Sequence, residues 1–277
     1  MKKSALALAV LVVAGSIPTF ALAEDAPAAP AASPITYNIG AVSDYRYRGI
    51  SQTKMKPALQ GGVDYADGPV YLGTWLSTIS WVKDSMVATN RANAGNEDYT
   101  PVEEKGAPVE WDLYGGTKGD IIKDSLTYDV GVLGYIYLGE KFKDIGLKSP
   151  NTVEVYGALT YGVFTAKVSI AGTTLFGVPK SAGSQYYDLS ANFDLGSGFT
   201  LTPDIGYQNV AGSYAKDNGL DSYSYTAYSA TLGKDFGKGF SASLQVVATD
   251  ASKSDYVTSA GKFTGRTGVV AGVKYSF

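Results

Sequence analysis

The 277 residues contain no cysteine and no histidine. Without cysteine there are no disulfides and no thiol chemistry. Without histidine the chain lacks the usual general base, the commonest metal ligand and the near-neutral pH switch. No metal site and no cofactor are expected. Charge of one sign is also scarce, with 23 basic and 26 acidic residues and a formal charge of −3. No basic cluster stands out, so nucleic acid is not an expected partner. Beyond the first 23 residues no apolar run approaches the ~18 residues of a membrane helix.

What is present begins with a secretory leader, expected over residues 1–23. Lys2 and Lys3 form its charged start, Ala5 to Val13 is a short apolar run, and Ala21-Leu22-Ala23 gives a small-x-small cleavage site. Residues 24–34 are an Ala/Pro-rich tether with nothing to pack, expected to lie in the periplasm. The remainder, 35–277, reads as one body. The chain's 33 glycines and 21 tyrosines suit tight strand turns and aromatic belts at a membrane interface.

The end of the chain sets the architecture. Val269, Ala271, Val273, Tyr275 and Phe277 are apolar or aromatic, and Val270, Gly272, Lys274 and Ser276 between them are mostly small or polar. That is a period of two, hence a strand with one greasy and one wet face. A soluble chain rarely finishes on an apolar strand, whereas a barrel must pair its last strand with its first. Val273, Tyr275 and Phe277 resemble the signal read by the barrel-assembly machinery, an expected partner together with outer-membrane lipid. The final strand of a soluble sandwich is the alternative.

The same alternation starts at Ile35, Tyr37, Ile39 and Ala41, and its phase predicts Tyr45 and Tyr47 on the lipid side. Asp67-Gly68 predicts a hairpin pairing Tyr65 with Val70, with Leu72 facing lipid and Trp75 the lumen. Trp81 is expected to close this third strand, and 83–108 to be a long polar loop. Further strands follow to the C-terminus, the tenth being the weakest because Tyr225 and Tyr228 fall on opposite phases. Long connections (46–57, 81–108, 139–151, 172–184, 209–222, 251–263) alternate with short ones (66–69, 162–163, 196–198, 237–239) and a medium one at 117–124. This alternation predicts an all-β, antiparallel up-and-down transmembrane β-barrel of about 12 strands, long loops outside and turns in the periplasm.

Ser43-Asp44-Tyr45-Arg46-Tyr47-Arg48-Gly49-Ile50-Ser51-Gln52-Thr53, Gln60-Gly61-Gly62-Val63-Asp64-Tyr65 and Gly73-Thr74-Trp75-Leu76-Ser77 resemble the proteobacterial Gcw_chp-type family. Its members are predicted outer-membrane proteins of largely unassigned role. The resemblance implies location and architecture and supplies no active site.

The wet phases of the strands carry Asp44, Arg46, Arg48, Asp64, Glu110, Asp112, Asp129, Glu154, Lys167, Asp188, Asp204, Arg266 and Lys274. The commoner role for such residues is mutual pairing inside a small barrel. The sharper one is a narrow aqueous pathway that slightly favours cations. The expected function is therefore a narrow passive channel for small polar solutes or ions. The alternative is a non-conducting barrel with a side-chain-filled lumen, its surface partner unknown. An enzyme of the outer-membrane lipase or protease kind would need a histidine to activate serine or water, so no catalytic residue is assigned. Ser77→Arg on the lumen side is expected to cost less than Leu72→Arg on the lipid side.

Overall fold

A computed structural model describes residues 33–92, 106–212, 217 and 223–277. The leader and nearly all of the tether lie outside these residues. Twelve strands form the wall: β1 (Ile35–Val42), β2 (Ala58–Asp67), β3 (Val70–Thr78), β4 (Val109–Ile122), β5 (Leu126–Tyr137) and β6 (Thr152–Tyr161), then β7 (Phe164–Ala171), β8 (Gln185–Ala191, continued by Phe193–Gly196), β9 (Phe199–Asn209), β10 (Tyr225–Asp235), β11 (Phe240–Thr249) and β12 (Gly268–Ser276). Each pairs antiparallel with its sequence neighbours, and β1 also pairs with β12, so the sheet closes with no free edge. At the seam Asn38 opposes Ser276 and Val42 opposes Gly272. Tyr37 and Phe277 extend it by exchanging two backbone hydrogen bonds of 2.8 and 3.0 Å and stacking their rings at 5.6 Å.

Period-two chemistry decides which way each side chain points. Leu72 is 58% exposed on the outer face, whereas Trp75 is 4% exposed inside. Tyr225 and Tyr228, which blurred the tenth strand, occupy its two faces: the first is buried in the interior and the second exposed. The outer band includes Ile39, Leu59, Leu113, Val132, Val155, Leu189, Ile205, Leu244 and Val273, all exposed. Strands of about ten residues with such a face match the hydrocarbon thickness of a bilayer.

Several expectations need correcting. The hairpin loop is Gly68-Pro69, flanked by Asp67 opposite Val70, so Tyr65 pairs with Leu72 rather than Val70. Gly68 adopts φ 56°, the conformation a glycine-first turn needs. The shift is two residues, so the facing survives. The fourth strand runs on to Ile122 and its turn is only 123–125, which removes the medium connection. Trp81 opens a helix, α1 (Trp81–Ala92), instead of closing a strand, because Val82 and Met86, one turn apart, both bury fully against Ile79, Ala107 and Phe142. Residues 93–105 of the expected 83–108 loop lie outside the described residues.

The largest departure concerns Tyr45 and Tyr47. The wall strand ends at Val42, and the chain turns inward as a two-rung ribbon pairing Arg46–Tyr47 with Ile50–Ser51. Both tyrosines therefore lie inside the barrel, Tyr45 almost completely buried. Alternation could not register this, because inward folding ends the strand and with it the meaning of phase. Arg48 at φ 47° and Gly49 at φ 83° make the reversal. All the long connections leave one end of the barrel, and the short turns (68–69, 123–125, 162–163, 197–198, 236–239) close the other.

Candidate functional site: a braced lumen and its vestibule

The ribbon carries two arginines into the lumen, and each meets a built partner set. Arg46 Nε donates to Asp44 at 2.6 Å, and its Nη1 donates to the carbonyls of Gly49 and Thr264 at 2.9 Å and of Arg266 at 3.1 Å. Asp44 also accepts from Ser51 at 2.6 Å. Arg48 crosses to the opposite wall, donating to Glu154 of β6 at 2.7 Å and to Gln208 of β9 at 2.8 Å. Its guanidinium lies over the rings of Tyr47 and Tyr186, 4.8 and 4.3 Å from the centroids.

The wall supplies a second set. Glu110 of β4, 2% exposed, accepts from the hydroxyls of Tyr45 at 2.6 Å and Tyr137 at 2.7 Å. Asp112, two residues on along the same face, is fully buried, and neither of its carboxylate oxygens has a hydrogen-bond partner among the described residues. Towards the turn end Tyr114 donates to Asp64 at 2.5 Å and Tyr71 to Asp129 at 2.5 Å, while Tyr71 and Tyr156 share a short hydroxyl contact. Lys167 sits 4.1 Å over Tyr156. Asp188 and Asp204 lie diagonally on paired strands β8 and β9, and Lys274 is half-buried on β12. Asp44, Arg46 and Arg48 reach the lumen on the inner ribbon segment rather than on a wall strand, and Arg266 departs from the lumen altogether. It precedes β12 in the connection, its side chain is exposed, and its carbonyl alone reaches the ribbon.

Composition alone assigned the tyrosines to the outer belts. Many turn inward instead and provide the hydroxyls that satisfy these carboxylates. The alternation held that signal: Tyr135 and Tyr137 lie on the wet phase of β5, opposite Asp112 and Glu110. Gln208, Arg48's second acceptor, had no comparable sequence mark.

Above the ribbon, at the long-loop end, lies a vestibule of about 370 Å³. Its floor includes Glu110 and Tyr137, one side is α1 with Trp81 and Asp84, and the opposite side is the connection carrying Asp255 and Tyr256. Asp84 ties the two sides. It ion-pairs with Lys54 of the ribbon connection and accepts from the Ser259 backbone N–H at 2.7 Å and from the Ser259 hydroxyl at 2.5 Å. Burial by itself would raise this carboxyl, but the hydrogen bonds from Lys54 and Ser259 hold it below its ordinary value. Two further cavities among the described residues are small, about 30 Å³ beside Gln60, Trp75 and Lys274 and about 10 Å³ beside Arg48 and Asp204.

The profile of a family described as "Bacterial protein of unknown function (Gcw_chp)" matches residues 26–277. No curated protein matches the sequence. Among solved structures the NanC porin is similar over 88% of this chain and 98% of its own, with a TM-score of 0.50 at 9% identity. The KdgM porin is similar over the same shares, with a TM-score of 0.48 at 8% identity. OccAB4 of Acinetobacter baumannii matches over 88% of this chain and 62% of its own, with a TM-score of 0.39 at 10% identity. At such identities the likeness to NanC concerns the fold alone.

Proposed function

The chain belongs to the Gcw_chp family, whose function is unknown, and from the closed barrel with its exposed apolar band and braced polar interior we propose that it is an outer-membrane barrel acting as a narrow channel for small polar solutes or ions. The long connections face the cell surface, and the turns and the Ala/Pro tether face the periplasm. A solute enters through the vestibule, and the inner ribbon forms the constriction. Conduction rather than catalysis is the role assigned, and the chemistry belongs to charge and shape along the lumen. The observation that carries this reading is the ribbon itself. A segment held across a polar lumen by Arg46 and Arg48, with a vestibule above it, has the form of a throttle.

A second reading has its own observation. Glu110, Asp112 and Glu154 are 2%, 0% and 2% exposed, which is a packed interior rather than a wetted one. On this reading the barrel binds at its surface end and passes no current. Single-channel recording of the refolded protein in a planar bilayer separates the two. The channel reading expects small unitary currents in the wild type and larger ones in Arg48→Ala, where the strut to Glu154 is gone. Silence from both, at verified insertion, would refute it in favour of the filled barrel.

A further inference from the structure

The outer wall carries a charge that neither conduction nor the lumen bracing uses. Paired residues in an antiparallel sheet share a face, and Lys234 of β10 pairs with Phe199 of β9 and Ala242 of β11. Phe199 is exposed on the outer band, and so is Leu232, two residues before the lysine. Lys234 therefore points outward. Among the described residues it is the one basic side chain on the outward phase of the wall strands. Lys118, Lys167 and Lys274 all take the inward phase. Lys234 also takes part in no ion pair among the described residues. The carboxylates at the adjoining turns, Asp194 and Asp235, accept instead from the backbone N–H groups of Gly196 and Gly237, each at 2.8 Å.

Two matching turns hold the lysine in place. Leu195-Gly196-Ser197-Gly198-Phe199 and Phe236-Gly237-Lys238-Gly239-Phe240 are joined by the Asp235 N–H, which donates to the Gly198 carbonyl at 2.8 Å. Lys234 Nζ donates to the Ser197 carbonyl, which draws the ammonium out of the apolar band to the level of the turns. It lies 4.3 Å from the centroid of the Phe199 ring and 5.8 Å from that of Phe236. Phe240 stands 5.5 Å beyond Phe236. An ammonium has three N–H donors, and Ser197 takes one. Lys238, exposed in its turn, adds a second positive charge to this corner. On β11 the short side chain of Ala242 interrupts the outward row between Phe240 and Leu244, beside the lysine.

We propose that this corner of the wall binds a glycerophospholipid, with the phosphodiester on Lys234 and an acyl chain running over Ala242 along the apolar band. The phosphate oxygens accept from the N–H donors that Ser197 leaves over, and they supply the negative charge the corner lacks. The phenylalanine rings flank the point where headgroup meets hydrocarbon. A free phosphate would meet the charge but leave the apolar flank uncovered, so the lipid is the occupant. The orientation given above makes the periplasmic leaflet its source. Binding itself stands apart from the channel reading: a barrel silent in the bilayer can hold the lipid, and a conducting one can fail to.

The test is native mass spectrometry of the refolded full chain, released from micelles doped with phosphatidylglycerol, phosphatidylethanolamine or the diacylglycerol of the same chains. Each phospholipid should give a first adduct held at least about fivefold more tightly than diacylglycerol, the scale of one lysine at a phosphate. Lys234→Gln keeps a donor for Ser197 but drops the charge, and it should lose about that factor. Lys234→Arg should retain it. Lys253→Gln, in the connection between β11 and β12 at the opposite end of the barrel, should leave it unchanged. Excess inorganic phosphate should not displace the lipid. Equal retention of diacylglycerol and phospholipid, undiminished retention by Lys234→Gln, or displacement by inorganic phosphate would each overturn the inference. The wild-type comparison of phospholipid with diacylglycerol needs no variant, so a misfolded mutant leaves the test intact.

Discussion

Tyrosine and glycine act as a pair inside this barrel. A Cβ built on Gly206 would fall 1.9 Å from the Tyr186 hydroxyl oxygen, and one on Gly73 would fall 2.2 Å from the Tyr114 ring. Each glycine clears the space in which a ring from the neighbouring strand lies flat against the wall. Tyr186 in turn lies beneath Arg48, so the bare backbone at Gly206 lets the arginine reach across to Glu154. Gly206→Ala should therefore displace the ring and cost about 1–3 kcal/mol in reversible unfolding, as overpacking does. An unchanged unfolding midpoint would show that the ring is free to move. Facing makes a second residue-scale prediction. Leu72→Arg on the outer band should cost roughly 2–4 kcal/mol. Ser77 is 1% exposed, so Ser77→Arg has no room inside and should cost at least as much, contrary to what alternation alone suggests. Marked tolerance at Ser77 would mean that the lumen is looser there than its burial implies.

The elements differ in how plainly the sequence displays them. The wall strands were legible because a two-residue period survives as long as one face meets lipid and the other the lumen. Helix α1 was not, since Val82 and Met86 are its only buried apolar residues and Lys83, Asp84 and Ser85 between them are polar. The inner ribbon was half legible: its residues were singled out, but Tyr45 and Tyr47 were assigned to the lipid side. The partner set of Arg48 was invisible, because Glu154 and Gln208 come from strands more than a hundred residues away. Helix α1 also yields a pH prediction. A carboxyl held low in the folded state contributes stability that is present above its unfolded value, near 3.9, and is lost as pH falls through its depressed folded value. Asp84 should therefore keep α1 clasped to Ser259 at neutral pH and release it only in strong acid. Limited proteolysis of α1 across pH reads this out. Asp84→Asn should be cleaved already at pH 7 and lose the acid dependence, and identical profiles for the two proteins would sink the clasp.

For the whole molecule the decisive features are the seam and the ordering of the connections. Phe277 reaches Tyr37 by two backbone hydrogen bonds and a ring stack, so deleting it or replacing it with a charged residue removes part of the closure. Lower membrane yield and loss of heat-modifiable gel mobility are expected. Full yield with normal mobility would show that the seam closes without it. Orientation is checked separately, with an epitope inserted at 237–239. It should be invisible to antibody on intact cells and visible after permeabilisation, and surface labelling would reverse the barrel and the entry route with it.

A closed sheet resists stretching along its hydrogen bonds but is easily squeezed into an oval, since ovalisation changes curvature and breaks few of them. Here Arg48 ties the segment after β1 to β6 and β9, Tyr45 ties it to β4, and Arg46 ties it to the connection before β12. These ties run in several directions across the cylinder, like the spokes of a wheel. The contents of the barrel thus hold it round, and sideways pressure from the surrounding lipid would be borne by the spokes as well as the rim.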